Sequence, residues 1–440
     1  MKHFKKMVRT ALLTSGAAWG FSACDTHELL SVVDPDIVTP ADVAGAKGAE
    51  LYWAGAIGLF AEAYSSGGGG QVAYSGMLAD EFHLSGTFPT RNEVDRREMD
   101  VRNGTLLDEY RYLHRARVGT KNAAERLAEL LPNDPRIAEM WSLNGYANLF
   151  FAQDYCSGVP FSETPNDGEI VFGERQTTSE ILAAAAASFD AAATAAGDDA
   201  NQRHLAAIGL ARTRLHQGDY AGAASAAALV PSEWAYYVRS KEGGTSGQRN
   251  SVFELNQRQR RWSLSDMEGE NGIAFRSETD LRVPWEDSGV LGFDEETPLY
   301  HQLKYDSEES DVVLGSGVEA QLIMAEAELS AGGAWLARLN GLRAGAGLPE
   351  VADPGDRDGR VRMLFGERAR WLFGTGQRLG DLRRLVRQYG YDQSTVFPTG
   401  TFAKGGTYGT DVNFPIPFEE HENQALSGLE GQPLCLDRNA

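Results

Sequence analysis

Helical patterning of apolar and polar positions dominates the chain. It predicts a helix over 40–64, with Thr39 as N-cap and Pro40 at the first helical position. Two more are expected at 105–131 and 135–154, parted by the breaker Pro132-Asn133-Asp134-Pro135. The stretch 178–196 is so rich in Ala that it must pack closely against a neighbour. A helical pair follows at 202–217 and 220–230, turning at Gly218-Asp219. Helical pattern returns over 317–345 and 358–389. Three excursions lack a period: 67–103, 240–297 and 391–413, all mixing Gly, aromatic and charged residues. Long irregular excursions on a helical scaffold are usually functional loops. Short strands are expected in these regions and near Val252–Leu255 without setting the fold class. That class is all-α.

The pair around Gly218-Asp219 looks like one tetratricopeptide unit. Leu210 and Ala211, then Gly218-Asp219-Tyr220, then Ala223, Ala227 and Pro231 resemble the spaced positions of a repeat of about 34 residues. One such unit cannot bury its apolar face alone, so further helix pairs must stack on it. A generic helical hairpin is the plainer alternative, and it leaves the fold class unchanged.

The segment Glu367–Arg384 (ERARWLFGTGQRLGDLRR) reads as an amphipathic helix, a bend at Gly374-Thr375-Gly376, and a second helix. Arg378, Asp381 and Arg384 follow one another at i,i+3, so they share a face and are expected to form a structural ion network. Together with Pro415-Ile416-Pro417 and Glu420, this segment resembles the C-terminal signature of the SusD/RagB family of outer-membrane nutrient-binding lipoproteins. Glu367, Arg368, Leu372, Gly376, Arg378, Asp381, Leu382 and Arg384 match that signature. Trp371 and Thr375 replace its usual Glu residues. AEAEL at Ala325–Leu329, LNGLRAGAGLP at Leu339–Pro349, YCSGVPF at Tyr155–Phe161 and LKY at Leu303–Tyr305 resemble further family motifs in the same order. The resemblance implies a tetratricopeptide-like scaffold, here over about 105–231 and 317–389, with loop-rich insertions at about 67–103 and 240–297. It also implies that ligand contacts lie in those insertions. By position, they map to Asp80, Glu81, Phe82, His83, Phe88, Arg91 and Asn92, and to Trp262, Trp285 and Glu286. The chemistry suits a sugar, whose ring face stacks on aromatics while its hydroxyls bond to polar side chains. Phe82, Phe88 and Trp285 as core residues of their loops is the plainer reading.

The N-terminus fits such a family. Lys2, Lys5, Lys6 and Arg9 precede an apolar stretch, Thr10–Ala23, too short to span a bilayer and suited to a secretory signal. It ends Ser22-Ala23-Cys24, the pattern of a lipoprotein signal in which Cys24 is lipidated. Residues 1–23 are therefore expected to be a signal peptide, and 24–440 a single domain on a lipid anchor. Removing 1–23 strips four basic residues and no acidic one, taking the net charge from −21 to −25. So acidic a body argues against nucleic-acid partners. Cys156 and Cys435 remain. Paired in an oxidising compartment, they would pin the C-terminal tail to the body; two unpaired thiols are the alternative.

Signatures of catalysis are missing from the sequence. It contains no G-x-S-x-G, no H-E-x-x-H and no phosphate-binding loop, and its His residues are not spaced for metal. Asp356, Asp358 and Gly359 echo part of a calcium loop, but Pro354 and Phe365 stand at ligand positions, so a helix-start turn is expected. No cofactor is expected. By resemblance, the protein would sit on the outer membrane, bind an oligosaccharide or oligopeptide, and pass it to a TonB-dependent SusC-like transporter. A tetratricopeptide-type protein-interaction scaffold and an exported hydrolase are the rival readings.

Overall fold

The computed structural model describes residues 45–439 except 67, 166, 167, 242, 244, 245 and 430. The helix start at Thr39-Pro40, the signal peptide 1–23 and Cys24 lie outside these. Among the described residues no helix is long and apolar enough to cross a membrane.

Helices run in sequence order through most of the chain. They are α1 (Gly45–Ser65), α2 (Gly70–Leu78), α3 (Pro89–Asp95), α4 (Gly104–Leu130), α5 (Arg136–Asp154), α6 (Thr178–Ala195), α7 (Ala200–His216) and α8 (Tyr220–Ala227). A short α9 (Ser251–Phe253) continues as a π turn, and α10 (Gly317–Ala331), α11 (Trp335–Gly345), α12 (Arg357–Trp371) and α13 (Arg378–Tyr389) complete the set. Packing follows chain order from α4 to α8, with α1 laid on α4 and α8 on α10. The fold is thus all-α, and the strands are short.

Local chemistry explains several starts. Thr177 and Glu180 form a capping box at the head of α6. Asp219 accepts from Gly222 N–H at 2.9 Å to start α8, with Gly218 left-handed at φ 77°. Asp356 does the same for α12 through Gly359 at 2.8 Å, so the helix-start turn is what forms there. Close packing of the Ala-rich α6 centres on Phe189, which stacks edge-on against Tyr146 at 5.1 Å. A Cβ on Gly145 or Gly209 would meet that ring at 2.8 or 2.1 Å. Only glycine lets α5 and α7 approach it.

Two expectations are corrected. Val252–Leu255 is helical, because Asn250 accepts from Phe253 N–H at 3.0 Å and caps the turn. The excursion 67–103 holds two helices, α2 and α3. Every residue of α2 is buried, and a helix enclosed on all sides shows no apolar stripe to read.

The ion network also differs from expectation. Asp381 bridges Arg368 (2.7 Å) and Arg384 (2.8 Å), and Arg384 reaches back to Glu326 on α10. Arg378 is absent from this set. It sits in the first turn of α13 and points back towards the helix start, where Asp80 meets it. Glu367 joins a second group with Arg282 and Arg343, both at 2.5 Å in spite of the missing family Glu residues. Arg282 covers the ring of Trp371 instead.

Cys156 and Cys435 form a disulfide. It fixes the tail beside α5, with Ser157 N–H donating to Asp437 O at 3.0 Å.

Candidate functional site

Strand β1 (Phe82–Leu84) follows the tight turn after α2. The short hairpins β2 (Val159–Pro160) with β3 (Arg175–Gln176), and β4 (Ala235–Val238) with a distant strand, lie elsewhere on the scaffold. β1 pairs antiparallel with β5 (Trp262–Leu264), Phe82 opposite Leu264 and Leu84 opposite Trp262. This seam joins the first irregular excursion to the second. Strands β6 (Trp285–Leu291) and β7 (Pro298–Gln302) form a hairpin beside it, and β8 (Val312–Ser316) closes on β4. The third excursion is tied in by backbone bonds: Gly409 N–H to Arg96 O and Asp411 N–H to Arg97 O, at 2.8 and 3.1 Å. Lys404 donates to Gly86 O at 2.8 Å. All three aperiodic segments therefore meet on one face.

They enclose a cavity of about 230 Å³. Its wall includes His83, Asp95, Glu268, Arg276, Lys404 and Tyr408. Asp95 accepts from Leu84 N–H at 2.8 Å through one oxygen, and the other oxygen has no partner. Glu268 accepts from Ser265 and, at 3.0 Å, from the Tyr408 hydroxyl. Burial pushes both carboxyls up, and each feels the other. Both acids are therefore harder to ionise than free carboxyls. His83, half-buried and 3.3 Å from Ser265 Oγ, is pushed down to about 4 by burial, then by Arg276 and Lys404. It is neutral. Lys404 is itself paired with Asp294.

Beside the cavity stand two aromatic groups. Arg276 lies 3.5 Å above the Tyr300 ring, and Trp285 meets Tyr300 edge-on at 6.0 Å. Arg261 covers both Phe88 (4.7 Å) and Phe293 (4.0 Å). These two rings are 44% and 43% exposed, against 0% for the core ring of Trp262, so they are open to a ligand.

The ten expected ligand residues divide in two. His83, Phe88, Arg91, Asn92, Trp285 and Glu286 lie at or beside this face, and Glu286 is hydrogen-bonded to His301 at 3.0 Å. Asp80, Glu81, Phe82 and Trp262 are corrected: all four are sealed in the interior. Asp80 holds Arg378, and Glu81 accepts from Gly374 N–H at 2.9 Å. Phe82 packs between Trp262 and Phe373. The tight turn from α2 into β1 buries this stretch, so its residues serve the scaffold. Sequence reading missed Asp95, Arg261, Glu268, Arg276, Tyr300 and Tyr408. No local pattern in the sequence singled out any of these six.

The arrangement suits holding a polar ligand. Among the described residues no group of three or more His, Cys, Asp or Glu could hold a metal ion.

No family model and no curated protein matches the chain. Solved structures do. A SusD superfamily protein from Bacteroides fragilis is similar at TM-score 0.64 and 14% identity, over 87% of this chain and 98% of that one. One from Parabacteroides distasonis reaches TM-score 0.64 at 12% identity, over 88% and 98%. A SusD-like carbohydrate-binding protein from Bacteroides vulgatus is similar at TM-score 0.57 and 14% identity, over 77% and 83%.

Proposed function

We propose that this chain, which has the fold of the SusD superfamily, binds a glycan nutrient on the face built by its three irregular segments. The observation that carries this reading is the set of exposed or half-exposed rings, Phe88, Phe293, Trp285 and Tyr300, grouped around one polar cavity. Rings of this kind stack on sugar faces, and the cavity supplies hydroxyl partners. The reading is one of binding without bond breaking. The carbohydrate-binding neighbour from Bacteroides vulgatus supports it.

The finer steps belong to the same proposal. Lipidation of Cys24 would tether the protein to the outer membrane, on the cell surface. The helical body would dock on a TonB-dependent SusC-like transporter and release its cargo by hinge opening.

A glycan array on the purified protein tests the binding step. Specific retention of at least one oligosaccharide, unchanged in mass after incubation, is the expected result. Failure of every glycan, together with capture of a protein other than a transporter, would favour an interaction scaffold instead. Cleavage of a labelled polysaccharide would establish a hydrolase. For the anchor, Cys24→Ser should move the protein from the membrane fraction to the soluble one.

A further inference from the structure

The face carries arginines that the rest of the molecule would have neutralised. In the interior, Arg212 is paired with Glu319, Arg378 with Asp80, and Arg384 with Glu326 and Asp381. Arg91, Arg261 and Arg276 form no ion pair with any described residue. Arg261 uses its Nε on Gln259 at 3.1 Å, and its two terminal nitrogens make no hydrogen bond to a described residue. Both terminal nitrogens of Arg276 are likewise unbonded, and its Nε has no partner. Arg91 gives one nitrogen to Gly68 O at 3.2 Å and faces the buried Tyr74 hydroxyl and the Glu109 carboxyl, which burial pushes up to about 8.

Placement makes this arrangement costly without a ligand. Arg91 and Arg261 lie against the same ring, Phe88, at 4.8 and 4.7 Å. Like charges so near repel, and the Arg261 guanidinium is pushed down by burial and then by Arg91. The chain has 62 acidic residues against 41 basic ones, so a neutralising carboxylate is easy to supply. On this face aromatic rings lie against the guanidiniums instead. Arg forks match planar or tetrahedral oxyanions in two-point contacts. The cavity floor opposes this less than a row of free carboxylates would, since burial disfavours the charged forms of Asp95 and Glu268, and Asp266 accepts from the Arg276 and Ser277 amides.

We propose that Arg91, Arg261 and Arg276 select an anionic glycan, one whose sugar rings stack on Phe88, Phe293 and Trp285 while its carboxylate or sulfate groups bridge the arginines. This rests on the glycan-binding reading and narrows it. Uronic acids and sulfate esters share the chemistry, and the experiment separates them.

Binding would be measured by calorimetry on the purified protein with three probes: oligogalacturonate, a sulfated galactan oligomer and neutral galactan oligomers. One of the two anionic probes should bind, and the neutral oligomers should bind at least tenfold more weakly. Affinity for the anionic probe should fall as NaCl rises from about 50 to about 500 mM, since partly exposed charge contacts are screened. Arg261→Gln and Arg276→Gln should each weaken it roughly tenfold while leaving the melting temperature unchanged. Lys121→Gln, paired with Glu163 on another part of the scaffold, serves as a charge control and should change nothing. Equal or tighter binding of the neutral oligomer overturns the anionic proposal and leaves glycan binding intact. So does anionic binding that ignores both salt and the two substitutions. A folded protein that binds neither kind of oligomer overturns the anionic proposal, and the glycan array decides the binding reading separately.

Discussion

Arg378 grips Asp80 through two parallel contacts of 2.7 Å, across 298 residues of sequence, with neither side chain more than 5% exposed. Asp80 also accepts from Ile273 N–H at 3.0 Å. One carboxylate therefore clamps the end of α2, the start of α13 and the second excursion. Removing either partner leaves a buried charge uncompensated, at a cost of about 3–5 kcal/mol. Asp80→Ala should lower the melting temperature and soluble yield sharply. Asp381→Ala should do the same, because it leaves two buried arginines, Arg368 and Arg384, with Glu326 as their one remaining carboxylate. Thermal melts followed by circular dichroism would check both. Normal melting with lost glycan binding would assign these residues to the ligand after all.

Glu81 gives the fold an unusual pH dependence. Burial pushes its carboxyl up to about 8, far above the usual carboxylate range. A group whose folded pKa is raised stabilises fully below its unfolded value, and that contribution is lost as pH rises through the folded one. Stability should thus fall between about pH 4.5 and pH 8, by up to about 1.4 kcal/mol per unit from this group. Asp154, pushed up to about 7 by burial, adds to the same trend. Glu81→Gln keeps an oxygen for Gly374 N–H and should flatten the curve. Urea midpoints of both proteins at pH 5.5 and 8.5 would show the difference; parallel curves would refute the assignment.

The Cys156–Cys435 bond closes a loop of 279 residues. Cross-linking so long a loop restricts the unfolded chain, with a typical effect of about 2–5 kcal/mol. Dithiothreitol should lower the melting temperature of the wild type and leave the Cys156→Ser/Cys435→Ser double variant, already lower, unaffected.

Two tryptophans from one sequence region should behave oppositely. Trp262 is fully buried, packed edge-on to Tyr74 at 5.4 Å and against Phe82. Trp262→Ala should cost about 3–5 kcal/mol of stability. Trp285 is half-buried at the edge of the aromatic face. Trp285→Ala should weaken glycan binding several-fold with little change in melting. Glycan titrations and melts on the same two variants would separate the roles.

The helical scaffold was legible because its helices are amphipathic and punctuated. Pro132–Pro135 and Gly218-Asp219 mark their breaks, and Thr177 and Asp219 cap the helices that follow. α2 was illegible because burial on every side removes the period. The site was legible only as three regions. Which aromatic faces outward depends on the pairing of β1 with β5, a contact between residues some 180 apart that no local pattern encodes. For the same reason Asp80, Glu81 and Phe82, adjacent to His83, were assigned to the surface and belong to the core. Arg378 was grouped with Asp381 by spacing alone, while its partner lies on a distant segment.

The three excursions are stitched together largely through peptide groups: Ser265 N–H to Glu81 O, Gly409 N–H to Arg96 O, and the β1–β5 ladder. A peptide group is the same whatever side chain it carries. Outward-facing residues on these segments can therefore drift, in evolution or in a designed library, without dismantling the enclosure. Retargeting this protein to a new cargo becomes a matter of repainting its rim, with the frame left as it stands.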